Sequence, residues 1–264
     1  TYEKEGPFLL YVAYNAPHTP LQAQEKDIEL YCDDFGSLTP KEQKRVTYQA
    51  MVSCMDRGIG TIVDALKKKG IMDNTFLIFF SDNGPASVPG SSSGKLRGRK
   101  FDEWDGGVRV PAVFYWKRAE SNYKNLSSQV TGFVDIVPTL KELVGDKNRP
   151  ERAYDGISIL PLLIGSTSCI DRNFYLGCGA VVNKDYKLIR KGRKPGLNLP
   201  QDFLVDYQTD PYEKKNASNG NEQIVRSLYQ VALKYDTITP CLPEIPYGKG
   251  REGFKAPVEW KVTR

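Results

Sequence analysis

The chain has 264 residues, with 37 Lys or Arg against 32 Asp or Glu, a net charge of +5 and 40% hydrophobic content. That composition suits a globular chain of one large domain, or one and a half, with a proper core. The two signs of charge are interspersed, which argues against a nucleic-acid binder, and no apolar run approaches the ~20 residues of a membrane span.

The opening residues Thr1-Tyr2-Glu3-Lys4-Glu5-Gly6-Pro7 contain no Met, basic n-region or signal-like apolar segment, so Thr1 reads as an internal position of a longer precursor. Phe8 to Tyr14 (FLLYVAY) is a continuous apolar, β-rich run and predicts a strand buried on both faces. It empties into a loop pinned by Pro17 and Pro20 that carries His18, the one histidine of the sequence. His18 suits an ordinary surface loop. The end of a buried strand is also where open α/β sheets place ligand-binding groups.

Gln24 to Gly36 is polar and turn-like. Thr39-Pro40-Lys41-Glu42 then predicts a helix start, with Thr39 as N-cap, Pro40 at N1 and Glu42 reaching back from N3. Met51, Met55, Ile59, Ile62, Val63 and Leu66 recur at helical spacing, and Lys67 to Lys69 followed by Gly70 end the helix. Cys54 lies inside it and is expected to be buried and inert. Phe76 to Phe80 predicts a second buried strand and Val108 to Trp116 a third, with Pro111 marking a bulge or an edge. Strand, helix and strand in this order argue for an α/β sheet with crossover helices. Lys117 to Gln129 reads as a polar loop, and Asp135 to Val144 as a short helix ended by Gly145.

Beyond Ser166 the texture changes. Phe174–Leu176, Ala180–Val182, Tyr186–Ile189 and Phe203–Asp206 read as short strands of an antiparallel sheet, and Asn221 to Tyr235 as one amphipathic helix. Pro240 to Arg264 reads as an irregular tail. The expected division is therefore 1–165 and 166–264.

Chemistry concentrates between Thr75 and Val110. Asp82 and Asn83 put two hard oxygen donors side by side at a strand end, a donor type that calcium prefers, although Asp-Asn-Gly also suits a plain turn. Lys95, Arg97, Arg99 and Lys100 follow, bracketed by Gly94, Gly98, Gly106 and Gly107. The cluster suits a solvated basic loop, or a tight turn that holds one ammonium against an oxyanion. The five cysteines (Cys32, Cys54, Cys169, Cys178, Cys241) lack metal-finger spacing, and their odd number leaves one free or bridged to another chain. Sequons at Asn125 and Asn216, with the cysteines, favour a glycoprotein of the secretory route, lysosomal or extracellular.

The stretches FLLYVAYNAPHTPLQ, YQAMVSCMDRGIGTIVDAL, LIFFSDNGP, LRGRKFDEWDGGVRVP, FVDIVPTLKELVG, DGISILPLL, DYKLIRKG and LVDYQTDPYEKKN stand here in one order. In that order the chain resembles the C-terminal part of a type I, formylglycine-dependent sulfatase, arylsulfatase B-like, of the alkaline phosphatase superfamily. The resemblance implies an α/β sandwich, part of a large mixed sheet flanked by helices, followed by a small C-terminal antiparallel sheet with one helix. It implies Asp82 and Asn83 as two ligands of one Ca2+, Lys100 as the lysine that contacts sulfate and the formylglycine, and His18 as the group that contacts the ester and protonates the leaving oxygen. The substrate would be a sulfated small molecule or a sulfated glycan.

The departures are as informative. No Cys-x-Pro-x-Arg occurs: Cys54-Met55-Asp56-Arg57 lacks the proline and Cys241-Leu242-Pro243-Glu244-Ile245 the arginine. The family's N-terminal aspartate pair is also absent. The sequence therefore reads as a portion whose nucleophile, and the rest of whose metal site, come from an N-terminal part of the same sulfatase, possibly a separate chain. The alternative is a non-catalytic, sulfatase-derived structural or storage glycoprotein subunit. A zinc phosphatase of the same superfamily would expect more histidines. Asp105 stands where the family more often has Glu, a position that looks structural.

Overall fold

A computed structural model describes residues 6–122, 129–148, 150–194 and 197–238. A single turn of helix, α1 (Glu25–Ile28), packs on the long helix α2 (Pro40–Lys68). The start of α2 is the expected capping box: the Glu42 amide donates to Thr39 Oγ1, and the Thr39 amide and hydroxyl both donate to Glu42 Oε2. Past its C-terminus Gly70 takes φ +69°, which a Cβ would resist. Of the expected apolar stripe, Met51 is buried and the remainder half-buried. Cys54 is half-buried rather than buried, because its turn of the helix lies over the Asp27–Arg57 ion pair rather than over a core.

Strand β1 (Leu77–Phe80) pairs antiparallel with β2 (Ala112–Tyr115), Leu77 opposite Tyr115 and Phe80 opposite Ala112. β1 is half-buried rather than buried. The expected third strand is shortened at its start by α3 (Asp105–Val108), a single helical turn. Phe8 to Tyr14 forms no strand in the described chain. The run is extended and solvent-facing, with Leu9 79% and Tyr11 78% exposed. A strand needs a ladder partner on at least one edge, and no described residue supplies one to this run. The next helix, α4 (Ile136–Leu143), is followed by Gly145 at φ +69°, and α5 (Leu160–Leu163) packs against it.

The second sheet is the expected one. β3 (Phe174–Gly177), β4 (Ala180–Val182), β5 (Tyr186–Ile189) and β6 (Phe203–Asp206) form an antiparallel meander in chain order. Period-two alternation sorts its side chains. Val181, Leu188 and Leu204 pack against Leu228 and Ala232 of α6 (Glu222–Leu233). Ala180, Ile189 and Val205 on the opposite face pack against Trp104, which comes from the stretch between β1 and β2. The sheet is therefore covered by α6 on one side and by the basic, glycine-rich loop on the other. Cys32, Cys54, Cys169 and Cys178 are free thiols. Asn125 and the tail from Pro240, with Cys241, lie outside the described residues.

Candidate active site

The thirty-one residues that separate β1 from β2 are wound back on themselves by backbone hydrogen bonds. The Gly84 amide donates to the Gly107 carbonyl at 2.8 Å, the Lys100 amide to Pro85 at 2.9 Å and the Gly106 amide to Arg97 at 2.6 Å. These approaches require glycine. A Cβ on Gly84 would lie 1.9 Å from the Gly106 oxygen, and one on Gly106 would lie 2.2 Å from the Gly98 oxygen. The winding brings the strand-end pair Asp82-Asn83 and the side chain of Lys100 to one open cleft of about 710 Å³, which the His18 loop also lines.

His18 and Lys100 meet there. Lys100 Nζ lies 3.4 Å from His18 Nε2, across 82 positions of sequence. His18 Nδ1 is 2.7 Å from the Thr19 carbonyl, which only accepts, so Nδ1 carries the hydrogen and Nε2 is the nitrogen that faces the cleft. The imidazole is exposed and is oriented by its own loop. An oxyanion seated between Nε2 and the ammonium would meet a fixed charge on one side and a titratable nitrogen on the other.

Asp82 and Asn83 sit at the end of β1. Asp82 Oδ1 accepts from the Asn83 amide at 2.9 Å, and Asn83 Nδ2 donates to the Gly84 carbonyl at 2.8 Å. Both side chains line the cleft, and each carries an oxygen of the hard-donor type. Among the described residues no group of three or more His, Cys, Asp or Glu could hold a metal.

The other cations of the loop divide. Arg97 lies flat on Trp104, 3.5 Å from the ring centroid, and donates to the Glu213 carbonyl at 2.6 Å. Arg99 reaches the Ser87 hydroxyl, and Lys95 is exposed. None of the three faces His18 as Lys100 does. The second sequon, Asn216, is half-buried, and its amide links Leu204, Ser218 and Asp202.

Below the loop lies a group the sequence does not announce. Lys187 of β5, 0% exposed, points with Ile189 toward Trp104. Its ammonium bonds the Asp105 carboxylate, Glu213 Oε1 at 2.7 Å and the Glu103 carbonyl at 3.1 Å. Tyr207 donates to Asp105 Oδ1 at 2.8 Å, and the Asp105 amide donates to Glu213 Oε2 at 2.7 Å. Burial pushes the Glu213 carboxyl above the usual carboxylate range although Lys187 pulls it down, and burial drives the Tyr207 phenol upward too. Asp105 is accordingly structural: it fastens α3, and so the end of the loop between β1 and β2, to the C-terminal sheet. The available signal was a lone lysine in the apolar run Tyr186–Ile189.

The sulfatase family profile matches residues 1–146, more than half of the chain. The protein belongs to the sulfatase family. It is 33% identical to arylsulfatase J of Mus musculus over 159 residues, 60% of this chain and 25% of that protein. It is 31% identical to the steryl-sulfatase of Homo sapiens over 188 residues, 68% of this chain and 30% of that one. Among solved structures, Ps i-CgsB in complex with k-i-k-neocarrahexaose superposes with a TM-score of 0.74 at 31% identity, over 89% of this chain and 51% of that one. The fold is thus alkaline-phosphatase-like, and the chain spans about half the length of that structure and about a third or less of those curated relatives.

Proposed function

We propose that this chain is the C-terminal portion of a calcium-dependent sulfatase that hydrolyses sulfate esters, with the formylglycine nucleophile and the remaining metal ligands supplied by the N-terminal part of the fold. The observation that carries the reading is the meeting of His18 and Lys100 at 3.4 Å in a cleft also lined by Asp82 and Asn83. The partial coverage of the relatives and the exposed apolar run Leu9–Tyr11 support a complementary part packed beside this one.

Asp82 and the amide oxygen of Asn83 fit a hard cation as part of its shell, since both are oxygen donors at one strand end. When bound, the cation supplies positive charge to the sulfuryl oxygens. Lys100 holds a second positive charge there, fixed by the bond of its own amide to Pro85. His18 orients Nε2 toward the ester through the Nδ1 bond to Thr19 and, when protonated, delivers that proton to the departing oxygen. The cleft is open and lined by the cations Lys100 and Arg109, which suits a sulfated glycan, and Ps i-CgsB was solved with the oligosaccharide k-i-k-neocarrahexaose bound.

In the assembled enzyme, Lys100→Ala is expected to lower kcat/KM on an aryl sulfate by about 10²- to 10³-fold, and His18→Ala by about 10²- to 10⁴-fold on esters with poor leaving groups. Unchanged kcat/KM in both variants overturns the reading.

A further inference from the structure

Phe101 follows Lys100 directly and is built in a way the fold does not need. Its φ is +78°, the value of the third residue of a type II turn, where glycine is the favoured occupant. The turn is closed by the Asp102 amide on the Arg99 carbonyl at 2.8 Å and by the Arg99 amide on Asp102 Oδ2 at 3.0 Å. The ring is 79% exposed, whereas Trp104 on the same loop is 4% exposed and packed under Arg97 and Phe203. A large apolar side chain thus occupies a backbone position that strains it and gains no burial in return. The residue adjoins Lys100, which lines the cleft, and Lys100 Nζ lies 5.4 Å from the ring centroid. Strain that the described residues leave uncompensated points to a use beyond them.

We propose that Phe101 is a specificity-determining platform: its exposed face stacks on the C–H face of a sugar ring whose sulfate is held by Lys100 and His18. The proposal rests on the sulfate-ester reading of the cleft. Lys100 and Phe101 occupy successive positions of one turn, so the sulfate and the ring are gripped from adjacent residues. An aromatic face offers a sugar ring dispersion contact and a weakly negative surface that matches its C–H edge. The ring stands outside the cleft, which leaves room for a glycan that continues beyond the sulfated unit.

The test is a calorimetric titration of the intact protein with galactose 6-sulfate, with phenyl sulfate and with methyl sulfate, an ester that has no ring. In Phe101→Gly the affinity ratio of galactose 6-sulfate to methyl sulfate is expected to fall roughly three- to tenfold, about 0.7–1.4 kcal/mol at 1.4 kcal/mol per factor of ten. Phe101→Tyr is expected to keep the ratio. Lys100→Ala separates the two claims. If it weakens all three esters while Phe101→Gly leaves the ratio untouched, the platform fails and the sulfate site stands. If Lys100→Ala leaves methyl sulfate binding unchanged, the sulfate site itself fails. A selectivity change confined to phenyl sulfate overturns the carbohydrate assignment. A fall in Tm for Phe101→Gly places the ring in an internal contact and overturns the platform.

Discussion

Lys187→Met tests whether the C-terminal sheet holds the loop between β1 and β2 through a buried charge cluster. The two side chains are of similar length and volume, so the change removes the ammonium while leaving little cavity. It strips a cation from the Asp105 carboxylate, from Glu213 Oε1 and from the Glu103 carbonyl, with both carboxylates almost wholly buried. Breaking one side of such a pair costs roughly 3–5 kcal/mol, because the uncompensated charges stay buried. At 2–4 °C per kcal/mol for a chain of this class, Tm falls by roughly 10 °C. The pH dependence follows from Glu213, whose folded pKa is raised by burial above its ordinary 4.5 while Lys187 holds it down. Between 4.5 and the raised value the folded state binds more protons than the unfolded one, so stability falls as pH rises through that window. Without Lys187 the upper edge of the window moves higher. Urea unfolding of both proteins at pH 5 and pH 8 should therefore show a larger loss in Lys187→Met at pH 8. A loss below about 1 kcal/mol, or one that is no smaller at pH 5, refutes the reasoning.

Three further outcomes are expected. Gly84→Ala drives a Cβ to 1.9 Å from the Gly106 carbonyl, and backbone on both sides prevents relief. The expected loss is about 3 kcal/mol, accompanied by loss of methyl sulfate binding, and wild-type unfolding curves would disprove the close approach. Thr39→Ala removes the cap of α2 and should lower stability by about 1 kcal/mol, read by thermal melts. Hydrogen bonds from Thr39 hold the Glu42 carboxyl below its ordinary 4.5, so that contribution is present above pH 4.5 and the difference between variant and wild type should shrink as pH falls below it. Phe101→Gly releases a left-handed strain of roughly 1–2 kcal/mol against a glycine entropy cost of about 0.5–1 kcal/mol. Its Tm should rise slightly, and a fall would show the ring to be packed.

The ends of α2 were legible because capping is local: Thr39 with Glu42 at its start and Gly70 past its end each act within a turn of that end. The C-terminal meander was legible for a similar reason, since its turns and short apolar runs alternate along the chain. The run Phe8–Tyr14 misled because apolar content reports what a segment can bury, and burial needs a second surface that the described residues do not offer. The one-turn helix α3 was missed because four residues carry no periodicity, and it is held by Asp105 bonds to Glu213 and Lys187 rather than by its own propensity.

By itself the sequence determined the helix limits, the four-strand meander, the strand-end pair Asp82-Asn83 and, through ordered resemblance, the candidacy of His18 and Lys100. The tertiary structure decided which cation faces the histidine: Lys100 lies 3.4 Å from His18, while Arg97 turns inward onto Trp104. It also decided that a lysine within an apolar strand lies under the loop between β1 and β2 as the counter-charge of Asp105 and Glu213. Both outcomes depend on where a side chain points after residues 80 or more positions apart have packed, and local sequence carries no record of that direction.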